Sequence, residues 1–174
     1  HILYGTSGDG GVYCQPVRGG PVRQICRDQF VGWPAQVSPD GQIVYTQGLD
    51  DGFRAWDLHT TTCRFALPIG AEGPGFLKLC PAGRYLVGIV GSPARTLRVY
   101  DARSGAVLRD CQPVGQELNF PSIVFFDDGR RFRLSANGKA WLYSCTSGRR
   151  LARMAGEVRR PQSDPHTHLR RKLV

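Results

Sequence analysis

Several residue sets in this chain have the types and spacing that chemistry needs. Asp50-Asp51 and Asp127-Asp128 are paired carboxylates, the arrangement used for acid–base catalysis or for holding a divalent cation. Each pair directly precedes a glycine, Gly52 or Gly129, and Asp-Gly is turn chemistry, so the structural reading is preferred. Gly5-Thr6-Ser7-Gly8 approaches a nucleophile elbow, but Asp9 stands where G-x-S-x-G needs its second glycine. The glycine-rich runs at 8–11 and 70–75 lack the Lys-Ser/Thr and the opening helix that cradle a phosphate. His166 and His168 sit in a polar, Pro-broken stretch and read as tail residues rather than metal ligands. The six cysteines (14, 26, 63, 80, 111 and 145) form no C-x-x-C pair, and no His lies at zinc-ligand spacing from two of them. Cys14, Cys26, Cys63 and Cys145 fall in or beside strand-sized segments, where a thiol acts as a small buried hydrophobe; reduced thiols are expected. The residues therefore predict no catalytic set, no metal and no cofactor.

The elements that would position these residues repeat. Ser38-Pro39-Asp40-Gly41 is a tight turn, Gln42 to Gln47 reads as a strand, Asp50-Asp51-Gly52 as a second turn, and Phe53 to Leu58 as the antiparallel partner ending on Trp56-Asp57. That terminal pair recurs as Tyr100-Asp101, as Tyr143-Ser144 and, more weakly, as Cys14-Gln15, at intervals of 44, 43 and 42 residues. Four residues beyond each pair stands a turn residue: Gly19, Thr61, Gly105 or Gly148. A second marker, Asp40-Gly41, returns as Ala82-Gly83 and Asp128-Gly129. Between markers each unit holds about four strand-sized pieces, and no segment keeps a helical period. The units span 33–67, 75–110 and 120–154, with a partial unit at 1–27 that supplies three strands and lacks the innermost. That gap, and His1 falling inside a strand pattern, predict a truncated start.

Ser38-Pro39-Asp40-Gly41 followed by Trp56-Asp57, with Asp50-Asp51-Gly52 between, resembles the tryptophan-aspartate (WD) repeat of β-propellers. The resemblance covers roughly residues 1–153 and is strongest over 33–110. It departs from the family's pattern in having one true Trp-Asp and no Gly-His dipeptide before any unit. It implies an all-β fold of about 3.5–4 four-stranded blades over residues 1–154, within a ring that in this family most often has seven. Asp40, Gly41, Trp56, Asp57, Gly83, Tyr100, Asp101, Gly129 and Tyr143 are then the structural signature. The resemblance further implies a non-catalytic scaffold for other proteins of a larger complex, and the expected reduced thiols point to an intracellular setting, cytoplasmic or nuclear.

Charge supplies the alternative. The chain has 174 residues and a formal net charge of +9. Residues 149–174 hold eight Lys/Arg against two acidic residues, whereas 1–148 hold fifteen against twelve, so the excess belongs to the C-terminal end. Residues 155–174 read as a basic tail in which Arg159, Arg160, Arg170, Arg171 and Lys172 could meet the phosphates of a nucleic acid such as RNA. The tail lacks the interleaved aromatics of a single-strand binder, and a solvated terminal tail or the first residues of a continuing chain is preferred. Gly129-Arg130-Arg131-Phe132-Arg133 reads as a strand with arginines facing water, a further candidate for the rim of a binding surface. No run approaches the roughly 18 apolar residues of a membrane helix.

Overall fold

The computed structural model describes residues 2–5, 11–26, 35–47, 52–67, 74–90, 96–112, 121–126 and 129–154, and no α-helix occurs among them. The strands are β1 (Ile2–Gly5), β2 (Val12–Gln15), β3 (Arg23–Cys26), β4 (Gln36–Val37), β5 (Ile43–Gln47), β6 (Phe53–Asp57), β7 (Cys63–Leu67), β8 (Pro74–Leu79), β9 (Tyr85–Val90), β10 (Thr96–Asp101), β11 (Val107–Asp110), β12 (Ser122–Phe126), β13 (Arg131–Ala136), β14 (Lys139–Ser144) and β15 (Arg150–Met154). They build one three-stranded sheet, β1-β2-β3, and three four-stranded antiparallel sheets, β4-β5-β6-β7, β8-β9-β10-β11 and β12-β13-β14-β15. The protein is all-β, and each four-stranded sheet is a meander in which neighbours in sequence are neighbours in space. Such a sheet has two faces, and period-two alternation gives each face its own side chains.

Both faces of the middle sheets are used. Val12, Cys14 and Ile25 of the first sheet pack with Val44 and Leu58 of the second. On the second sheet's other face Ile43, Tyr45, Phe53 and Ala55 meet Leu77, Leu86, Val90 and Tyr100 of the third. Val87, Ile89, Leu97 and Val99, on the third sheet's far side, meet Ile123, Phe132, Leu134, Trp141 and Tyr143 of the fourth. The core is therefore three seams between consecutive sheets. Fully buried Phe132 and Tyr143 stack with ring centroids 5.3 Å apart at the last of them.

Polar bonds cross the same seams. Arg23 donates from Nη2 to the Leu58 carbonyl (2.8 Å) and from Nη1 to that of His59 (3.1 Å). Gln36 bridges the first strands of two sheets, donating to the Leu77 carbonyl and accepting from the Leu79 amide. The Tyr45 hydroxyl donates to the Ala102 carbonyl at 2.9 Å, and the Tyr143 hydroxyl to that of Gln112 at 3.1 Å.

Three sequence readings are corrected. The innermost strand of the 33–67 unit, read from sequence over Pro34 to Ser38, covers Gln36–Val37 among the described residues, which exclude Pro34, and stops before Ser38 because Ser38 is spent on the turn: its amide and hydroxyl both bond Ile43. The first unit's marker is Tyr13-Cys14 rather than Cys14-Gln15. The bulge of the outer strand pair lies directly before Trp56, Tyr100 and Tyr143, and in the first sheet it lies directly before Tyr13. The first unit's turn is one residue longer, which displaced the count from Gly19; aligned on Tyr13 the aromatic intervals are 43, 44 and 43. Finally, Cys63 is exposed, since β7 is the outer strand of its sheet, whereas the other five cysteines are buried.

Candidate functional site

In each meander the turn after the first strand and the turn after the third lie at the same end of the sheet. The signature residues thus gather along one end of the array. Asp57 ends β6 with Oδ1 accepting the amides of His59 (2.8 Å) and Thr60 (3.0 Å), while Arg64 pairs with Oδ2. These bonds, the Thr60 amide foremost, hold its carboxyl well below the usual range. Asp101 repeats the device: Oδ1 accepts from the Arg103 amide (3.0 Å) and from the amide and hydroxyl of Ser104 (2.8 Å each). Burial pushes the Asp101 carboxyl up, but these bonds outweigh it and the net shift is downward. Asp40 accepts from the Ser38 hydroxyl at 2.5 Å and the Gln42 amide at 3.1 Å, and is lowered by them in that order. Each carboxylate is spent on its own turn, which leaves little basicity for proton transfer.

The aromatic members lie deeper. Trp56 donates from Nε1 to the Thr46 hydroxyl at 2.9 Å, with the Arg54 guanidinium 6.0 Å from its ring centroid. Tyr100 and Tyr143 are buried. Gly41, Gly83 and Gly129 occupy matching turn positions, and a Cβ on Gly129 would come within 2.8 Å of the Cys80 sulfur in the preceding sheet. The signature therefore joins turns to seams rather than forming a reactive cluster.

At this end Arg23, Gly41, Gln42, Asp57, Leu58, His59 and Thr60 line an open cleft of about 560 Å³ between the first two sheets. Its charged groups are already engaged, Arg23 with two carbonyls and Asp57 with Arg64 and its turn. Cys80, Cys111 and Cys145 are buried at the third seam. Burial pushes the Cys111 and Cys145 thiols up to about 12, so they are held as neutral thiols. Among the described residues no group of three or more His, Cys, Asp or Glu is placed to hold a metal ion.

Asp50-Asp51, Asp127-Asp128, Thr6 to Gly8, the histidines at 166 and 168, and Arg159, Arg160, Arg170, Arg171 and Lys172 lie outside the described residues. Sequence reasoning missed Cys80, which takes the place of Ser38: its sulfur accepts the Arg84 and Tyr85 amides at 3.2 Å each. The available signal was Cys80-Pro81-Ala82-Gly83 read against Ser38-Pro39-Asp40-Gly41. It also placed Arg133 in water, whereas its Nε is buried without a hydrogen-bond partner.

The chain is thus an all-β protein of repeated four-stranded antiparallel sheets stacked face to face. No family model matches the chain, and no curated protein matches it. Among the described residues no helix is long and apolar enough to cross a membrane.

Proposed function

We propose that the chain is a run of WD-type β-propeller blades serving as a non-catalytic platform for other proteins of a larger assembly. The observation that carries this reading is the fate, among the described residues, of the signature carboxylates and the seam thiols. Asp40, Asp57 and Asp101 are bound to turn amides, and Cys111 and Cys145 are held neutral in a seam, so the polar groups build the scaffold. Matching strands, bulges and aromatic positions in successive sheets support the propeller arrangement, in which the loops on the rims are left for contact. About four blades make part of a ring of about seven, completed by further blades.

The test is affinity capture with the 174-residue chain as bait, with chemical cross-linking and mass spectrometry to locate the contacts. Specific proteins should be captured in near-equimolar amount, with cross-links on the rims. Absence of any such protein would overturn the platform reading. So would turnover on a hydrolase substrate panel that a single substitution abolishes.

A further inference from the structure

We infer that the open cleft between the first two sheets is a binding site for a carboxylate side chain presented by a partner protein, with Arg23 as the group that receives it. The inference deepens the platform reading and rests on it.

Leu58 and Ala102 hold the same place in their sheets, each directly after the aspartate that ends the third strand. Both carbonyls accept a bond from the preceding sheet. At the second seam the donor is the Tyr45 hydroxyl, neutral and 1% exposed, at 2.9 Å; at the first it is Nη2 of Arg23, at 2.8 Å. The bond across the seam therefore needs no charge. What Arg23 adds is a cation, partly buried on the wall of a cleft of about 560 Å³. That volume lies within the range of roughly 300–1,000 Å³ at which clefts take a ligand.

The guanidinium keeps donors to spare. It has five N–H groups, and one hydrogen each of Nη1 and Nη2 goes to the carbonyls of His59 and Leu58. Both acceptors are neutral, so these bonds leave its charge without a counter-ion. Among the described residues the carboxylates that flank the lining are taken, Asp57 by Arg64 and its turn amides, Asp40 by Ser38, the Gln42 amide and Arg103. The two carbonyl bonds also fix the guanidinium before anything arrives, which lowers the cost of ordering it on binding.

The surroundings select the kind of anion. One uncompensated positive charge matches a carboxylate better than the nearly double charge of a phosphate monoester. An arginine fork also meets a carboxylate in two parallel bonds. Exposed Gln42, His59 and Thr60 line the same cleft and offer side-chain hydrogen-bonding groups to the peptide that carries the acid. Its lining holds no Phe, Tyr or Trp on which a nucleic-acid base would stack.

The test titrates the full, isotope-labelled 174-residue chain with a blocked pentapeptide of Ala and Val carrying one central Glu, and with the same peptide carrying Gln or phosphoserine instead. The Glu peptide should move the amide signals of Leu58, His59 and Thr60 and bind about tenfold more tightly than the Gln peptide, a charge-assisted pair being worth about that factor. Salt should weaken it. His59→Glu sets a like charge beside the cleft while leaving the backbone carbonyls that hold Arg23, and should abolish the preference. Arg23→Gln should abolish it as well; if that variant lowers the thermal midpoint, His59→Glu carries the comparison. Equal binding of the Glu and Gln peptides, no binding of either, or a preference that survives His59→Glu overturns the inference. So does tighter binding of the phosphoserine peptide, of free succinate or of a poly(U) oligonucleotide at the same signals. A Glu peptide that fails while the bait still captures its proteins overturns this inference alone. One that binds while no protein is captured leaves the carboxylate site standing and overturns the platform reading instead.

Discussion

Asp57 divides its carboxylate between two tasks, one oxygen for the amides of His59 and Thr60 and the other for Arg64. An exposed ion pair contributes little, whereas two amides losing their acceptor at a turn cost more. Asp57→Asn, which can keep the acceptor and discards the charge, should therefore lower stability by about 0.5 kcal/mol, and Asp57→Ala by about 1–2 kcal/mol, in urea unfolding. Equal losses would show that the Arg64 pair, not the turn, is what the residue serves. This role was legible in the sequence, because an Asp at a strand end, four residues before a turn position, has few other local uses. The place of Cys80 was not, since a sulfur that accepts two amides looks the same in sequence as one that fills a core. Tyr13 was hidden for a different reason: it was counted from Gly19, and a single extra turn residue shifts that count.

The turn that follows each third strand is the element on which the sheets' spacing depends. Thr61, Gly105 and Gly148 all adopt positive φ, at 58°, 72° and 69°. For β-branched Thr61 that conformation is strained, and Thr61→Gly should stabilise the chain by roughly 1 kcal/mol. Gly105 has a second constraint, because a Cβ there would overlap the Phe65 ring of the preceding sheet. Gly105→Ala should thus destabilise by more than the roughly 1 kcal/mol of backbone strain alone, to about 2–3 kcal/mol. Thermal unfolding of the two variants should move in opposite directions; a common direction would mean that φ is not what selects these residues. Strands were the most legible elements, since in Lys139 to Ser144 or Thr96 to Asp101 aromatic and β-branched residues run between turn signals. What the pattern left open was which sheet each face meets. Val87 and Leu86 are both apolar and adjacent, yet they face different sheets. Only the stacking distinguishes them.

At the scale of the whole molecule the seams concentrate groups that the fold keeps uncharged. Burial raises the Tyr45 and Tyr143 phenols from the ordinary 10.0 to about 12, and the Cys111 and Cys145 thiols from 9.0 to about 12. A group whose pKa is raised by folding contributes stability that is complete below its unfolded value and disappears as pH rises through the folded one. The carboxylates of Asp40, Asp57, Asp101 and Asp110 are lowered from 3.8, so their contribution is complete above that value and disappears as pH falls through the folded values. Unfolding free energy, measured with urea in the presence of a phosphine reductant, should therefore hold a plateau from roughly pH 5 to 8.5 and fall on both sides. The alkaline fall should begin near pH 9 with the thiols and steepen near pH 10 as the phenols join. Tyr45→Phe separates the contributions, because it removes one phenol while leaving the ring in the seam. It should cost about 1 kcal/mol at neutral pH, for the bond to the Ala102 carbonyl, and make the limb above pH 10 shallower. The thiol limb between pH 9 and 10 should be unchanged in this variant. A wild-type profile flat from pH 9 to 11 would mean that the seams admit water to these thiols, and would overturn the packing of the third and fourth sheets on which the array depends.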